Sequence, residues 1–125
     1  MRPHKVLSVR QPWAELIIAG TKDIENRTWA TAYRGPLLIH AGSFRPDDAM
    51  VAQFDPAALT YGAVIGHVDL IDVVEAYPSS FFFGPYGLVL SGAQRIDPPI
   101  RLRGRLGLFN ATQAQLRIPV LEESR

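Results

Sequence analysis

The chain contains no cysteine. That excludes disulfide scaffolds, thiolate nucleophiles, zinc fingers and iron–sulfur clusters together. It also has almost no excess of either charge: 13 Lys and Arg against 12 Asp and Glu give a formal net charge of +1. Bulk charge therefore does not mark it as a nucleic-acid binder. No apolar run reaches the length needed to span a bilayer. The stretch from Met1 to Val6 lacks an apolar segment of signal-peptide length. The expected setting is the cytoplasm, away from membranes. His40 and His67 have no third ligand at a recognisable spacing, so neither a metal site nor a cofactor is expected.

What is present suits one globular domain over residues 1–125, with 47% hydrophobic and 20% charged residues. A domain of this size hides roughly two thirds of its unfolded surface, enough for a core without staples. The charges are unevenly placed. Residues 1–40 carry Arg2, Lys5, Arg10, Lys22, Arg27 and Arg34 against Glu15, Asp23 and Glu25. Residues 93–125 carry Arg95, Arg101, Arg103, Arg105, Arg117 and Arg125 against Asp97, Glu122 and Glu123. The middle is acidic, with Arg45 its only cation. If both ends meet on one face, that face attracts anions.

Ten prolines and ten glycines divide the chain into short elements. Val6 to Arg10 reads as a strand. Gln11-Pro12 opens a helix with Trp13, Leu16 and Ile17 as its buried stripe, and Gly20 stops it. Lys22 to Trp29 is extended, and 35–41 reads as a strand buried on both faces. Pro46-Asp47-Asp48 starts a second helix and Asp55-Pro56 a single turn. Further strands are expected over 63–75, 87–91 and 102–109, with bends at Gly104 and Gly107. Five or six short strands with two or three short helices give an α+β fold built on a small, partly open barrel.

The densest chemistry lies in Gly20, Lys22, Glu25 and Arg27, a GxKxxExR pattern. On an extended chain Glu25 and Arg27 project from one face, roughly 7 Å apart at the backbone. Lys22 joins them only if it sits in the turn after Gly20. Arg27 offers a planar fork for phosphate and Lys22 a mobile point charge. Glu25 accepts from an exocyclic amine or acts as a base. The other reading of the trio is a salt-bridge network on a surface strand. Trp13 suits core packing, whereas Trp29 is free to stack on a base. His40, near Tyr33 and Ser43 along the chain, is either a buried hydrogen-bonded residue or an acid–base group. The 79–87 segment, with three consecutive phenylalanines, is a core-plugging loop or an apolar wall. Arg101, Arg103 and Arg105 alternate into a stripe that follows a phosphate backbone or solvates an edge.

The string LSVRQPWAELIIAGTKDIENRTW, followed by YRGPLLIHAG, strongly resembles the ASCH domain, the activating-signal-cointegrator homology family. GAVIGHVDLIDVVEA and FGPYGLVLSGAQRI resemble later parts of that domain, so the resemblance spans about residues 5–110. It implies a PUA-like fold and a ligand cleft lined by Lys22, Glu25 and Arg27. Family members are linked to RNA or DNA binding and to transcriptional coactivation; some are amidohydrolases on acetylated cytidine, and ribonuclease activity is known. The amidohydrolase type has a threonine nucleophile where this chain has Glu25, so that activity does not transfer directly.

The expected function is binding of single-stranded RNA or a nucleotide-like ligand. Arg10, Gln11, Trp13, Lys22, Glu25, Arg27, Trp29 and Arg34 are the candidate contacts. The alternative is a hydrolase, a ribonuclease or one acting on a modified nucleoside, with Lys22 and Glu25 as the reactive pair and His40 as a further catalytic candidate. A third reading is a protein-interaction module using the phenylalanine loop.

Overall fold

The computed structural model describes residues 3–117. Arg2, Glu122, Glu123 and Arg125, counted among the charges above, lie outside the described residues. Strand β1 (His4–Val9) leads through helix α1 (Trp13–Ile18) to β2 (Ile24–Arg27) and β3 (Gly35–Ala41). Helix α2 (Asp48–Val51) and a 3-10 turn (Pro56–Ala58) precede two long strands, β4 (Ala63–Val74) and β5 (Tyr86–Arg101). Strand β6 (Leu108–Ala111) and helix α3 (Gln113–Leu116) follow.

The strands form one sheet in the order β2-β5-β4-β3-β1-β6. β1 and β3 run parallel, Val6 beside Leu38 and Ser8 beside His40; α1 and β2 lie on the crossover that such a pair requires. The other neighbours are antiparallel. Three register shifts between β4 and β5 curl the sheet. β2 and β6 remain its edges, so the α+β sheet bends toward a PUA-like barrel without closing.

The main core joins β1, β3, β4 and β5 to α1 through Leu7, Ile17, Ile39, Leu70 and Leu88. Helix α1 reaches the sheet over Gly66: a Cβ there would lie 2.6 Å from Ile18 Cδ1 and 2.5 Å from the Gln94 carbonyl oxygen. That approach fixes the rotation of the helix. Its buried face is Ala14, Ile17 and Ile18, one position round from the expected Trp13, Leu16 and Ile17. Both sets have helical spacing and share Ile17, so periodicity could not separate them. Trp13 is accordingly 38% exposed, not a core residue.

Two strand boundaries differ most from expectation. β5 runs to Arg101, ten residues beyond the predicted Ser91, because the sheet tolerates its prolines. Val64 pairs with Ile100 and Gly66 with Arg95, so 96–99 bulge out opposite Ile65 alone. Pro98 and Pro99 sit in that bulge, where their missing N–H groups break no ladder bond. The last strand begins at Leu108, not Leu102. Residues 102–107 instead leave the sheet as a strap, tied by Ser8 N–H to the Gly107 carbonyl at 3.3 Å and by Leu102 N–H to the Gly62 carbonyl at 3.3 Å. Helix α3 begins with a capping box between Thr112 and Gln115. It buries Leu116 in a second small core with Val6 and Val64.

Candidate functional site

The site starts at the end of α1. Gly20 takes φ +85, the left-handed stop expected of a glycine there. The amides of Thr21 and Lys22 both fold back onto the Leu16 carbonyl, at 3.0 and 3.1 Å. Lys22 thus lies in the turn ahead of β2 and escapes the strand's alternation. It is 4% exposed. Its Nζ donates to the Ile24 carbonyl and to Glu25 Oε1 at 2.7 Å.

Glu25 and Arg27 share a face, as spacing two apart predicts. Arg27 Nη2 donates to Glu25 Oε2 at 3.0 Å and to the Ser8 carbonyl at 2.7 Å, while its Nε is buried without a hydrogen-bond partner. Each oxygen of Glu25 therefore holds one cation. The trio is an ion-paired network and does not lie on an open strand surface: Glu25 and Arg27 line a cleft, whose lining Lys22 does not join.

That cleft has a volume of about 980 Å³. Arg10 and Arg27 reach it from the N-terminal segment, and Arg101, Arg103 and Arg105 from the strap and the end of β5. The two basic ends of the chain thus meet on one face. Among the described residues Glu25 is the only carboxylate in the lining, and Trp13, Phe44 and Leu106 supply apolar surface. Arg10 stacks on Phe44, 4.2 Å from the ring centroid, which holds its guanidinium at the rim. Five arginines against one acid make a strongly anion-attracting concavity.

Ser8 and His40 also line the cleft. His40 is 1% exposed. Its Nε2 lies 2.6 Å from the Leu102 carbonyl, which can only accept, so Nε2 carries the proton. Nδ1 is then the acceptor for the Ser8 hydroxyl at 3.0 Å. Burial holds His40 below the ordinary histidine range, outweighing the upward pull of the Leu102 bond. His40 is therefore a neutral residue joining β1, β3 and the strap through Ser8 and Leu102. His67 is exposed. Among the described residues no three His, Cys, Asp or Glu side chains gather as a metal cluster, and no helix is long and apolar enough to cross a membrane.

Besides Lys22, three candidate contacts lie outside the cleft lining. Gln11 is buried, its Nε2 donating to the Thr60 carbonyl at 2.9 Å and its Oε1 accepting from the Glu15 amide at 2.9 Å, so it anchors the start of α1. Arg34 donates to the carbonyls of Thr31 and Tyr33 and lies 3.8 Å from Asp72, away from the cleft. Trp29 is half-buried against the core, with Gly107 beside its ring and Arg27 5.8 Å from its centroid. It is half-buried rather than the free stacking platform expected.

A second pocket of about 440 Å³ lies across the trio, lined by Trp13, Lys22, Glu25, Asn26, Phe81 and Phe83 together with Ser80. The phenylalanine segment forms its wall. Phe82 packs over Gly84 and Gly87 and Phe81 is half-buried, whereas Phe83 is 82% exposed. The loop is therefore no core plug. Asn26 holds it: its Nδ2 donates to the Phe81 carbonyl at 2.8 Å, and its Oδ1 accepts from the amides of Phe83 and Gly84 at 2.7 and 2.9 Å. Sequence reasoning missed Asn26 and Ser8. An asparagine inside the ExR pair, able to donate and accept at once, was the available signal.

A family model for the ASCH domain matches residues 7–88, which include the end of β1, α1, the trio and the phenylalanine loop. Activating signal cointegrator 1 of Homo sapiens is 37% identical over 82 residues, covering 55% of this chain and 14% of that protein. The Mus musculus cointegrator matches to the same extent. The chain thus corresponds to a small part of those relatives' length. Among solved structures, ASCH from Zymomonas mobilis superposes with a TM-score of 0.57 at 21% identity, covering 94% of this chain and 93% of that one. A serine-to-alanine variant of the same protein gives 0.59 at 19% identity. These structures share the fold.

Proposed function

The chain belongs to the ASCH domain family, and we propose that it binds single-stranded RNA, or a nucleotide carrying the same groups, in the arginine-rimmed cleft. The observation that carries this reading is the convergence of Arg10, Arg27, Arg101, Arg103 and Arg105 on one cleft of about 980 Å³ with a single carboxylate among the described residues. Guanidinium forks match phosphate oxygens bidentately. Arg27 is oriented by Glu25 and the Ser8 carbonyl, so little freedom is lost when it meets a phosphate. Recognition is favoured over hydrolysis by the state of the reactive pair. Both Glu25 oxygens already accept from cations, and Lys22 is anchored to a backbone carbonyl. Glu25 then serves as a clamp that sets the spacing of Lys22 and Arg27.

The test is a binding titration with short single-stranded RNA at two salt concentrations, with mass spectrometry of the same incubations and of parallel ones with acetylated cytidine. Salt-sensitive binding with intact RNA and nucleoside is the expected result. Product that forms with the wild type and disappears in Lys22→Ala would replace recognition by hydrolysis. Absence of both binding and product would refute a nucleic-acid role for the cleft.

A further inference from the structure

We propose that the pocket between Trp13 and the Phe81–Phe83 turn is a slot for one unpaired nucleobase whose phosphate lies in the adjoining arginine cleft; this rests on the nucleic-acid reading above. The slot adjoins the cleft, since Trp13 and Glu25 line both. Its walls are aromatic and exposed without core duty: Trp13 at 38% and Phe83 at 82%. A tip this apolar and this open is costly unless something covers it. The turn is also held in place, because the Asn26 side chain makes three hydrogen bonds to its backbone. Phe83 is therefore presented on a fixed scaffold, which lowers the ordering cost of stacking.

The floor selects the occupant. Lys22 Nζ and Glu25 Oε1 stand 2.7 Å apart, a donor beside an acceptor. Nucleobase edges likewise place donors and acceptors on neighbouring atoms. An apolar peptide side chain would fill the walls and leave this ion pair desolvated without matching it. A base within a duplex has both its faces and its pairing edge already used, so only an unpaired base enters. About 440 Å³ lies within the range of small-ligand pockets.

The experiment measures binding of three probes: a mixed-sequence single-stranded RNA, the same strand with its bases removed, and the fully paired duplex. Each is titrated against wild type, Phe83→Ala and Trp13→Ala. Phe83 is mostly exposed, so its variant keeps the fold. We expect the intact strand to bind wild type roughly tenfold or more tighter than the baseless strand or the duplex, and Phe83→Ala to lose that advantage. The salt dependence stays unchanged, because no phosphate contact is removed. A nucleoside 5′-monophosphate arm separates the sources of the base. Competition comparable to the strand marks a free nucleotide, and much weaker competition marks a base held on a strand; both place a base in the slot if Phe83→Ala weakens them. Equal affinity for intact and baseless strands, or wild-type affinity in both variants, overturns the slot while leaving the arginine cleft standing. Failure of wild type to bind any probe at low salt removes the underlying reading and the slot with it.

Discussion

The Ser8 hydroxyl donates to Nδ1 of His40 across neighbouring parallel strands, and this bond makes the histidine a stability element that proton uptake breaks. His40 is held neutral by burial, below the ordinary histidine value. Between the folded and unfolded values the unfolded chain binds more protons, so stability rises with pH. The contribution is complete above about pH 6.5, the unfolded value, and is lost as pH falls through the folded one. Thermal unfolding followed from pH 8 downward is expected to show Tm falling once pH drops below that point. His40→Gln abolishes this part of the slope. Ser8→Ala, which strands a buried acceptor, costs about 1–2 kcal/mol at neutral pH.

The strap depends on a residue with no side chain. A Cβ on Gly104 would meet His40 Cε1 at 2.5 Å, His40 Nδ1 at 2.8 Å and Ser8 Oγ at 3.1 Å. His40 is fixed at both ring nitrogens and cannot yield. Gly104→Ala is therefore expected to destabilise by about 1–3 kcal/mol. The loss is read from urea unfolding. Wild-type stability in that variant would mean the strap does not rest on His40.

The fold was legible where one element decided its own form. Gly20, the Gly35–Ala41 strand and the Asp55-Pro56 turn needed no partner to be read, and each is found where local chemistry puts it. The same holds for the shared face of Glu25 and Arg27, which follows from alternation alone. What the sequence hid was decided between elements. The rotation of α1 depends on Gly66, some fifty residues away, and the length of β5 depends on a bulge opposite Ile65. The neighbour of the Trp29 ring, Gly107, belongs to a strap that leaves the sheet. The arginine stripe was visible as a stripe, but not its meeting with Arg10 and Arg27.

Glu25 couples two cations, and removing its charge should expose how unequal they are. Glu25→Gln leaves Lys22 buried without a counter-charge, a loss of about 3 kcal/mol. Lys22→Met removes the buried ammonium itself and leaves Glu25 paired to Arg27, so its cost is smaller, about 1–2 kcal/mol. The double variant is expected to be more stable than Glu25→Gln alone, the non-additivity of two contacting residues. Chemical denaturation of the three variants measures it. Strict additivity would show that the 2.7 Å pair carries no coupling.

The arginines of the strap make the most direct quantitative claim about the cleft. Arg103 and Arg105 line it and are exposed, so replacing either leaves the core untouched. Each phosphate contact to a single strand contributes about 0.7 to the slope of log affinity against log salt. Arg103→Ala and Arg105→Ala are each expected to lower the slope for single-stranded RNA by about that amount, and together by about twice as much. Arg34→Ala is the control, equally a lost cation on an exposed side chain but bonded to the carbonyls of Thr31 and Tyr33 and outside the cleft lining. If Arg34→Ala lowers the slope as far as the strap variants do, binding follows total charge, and the cleft has no special part in it.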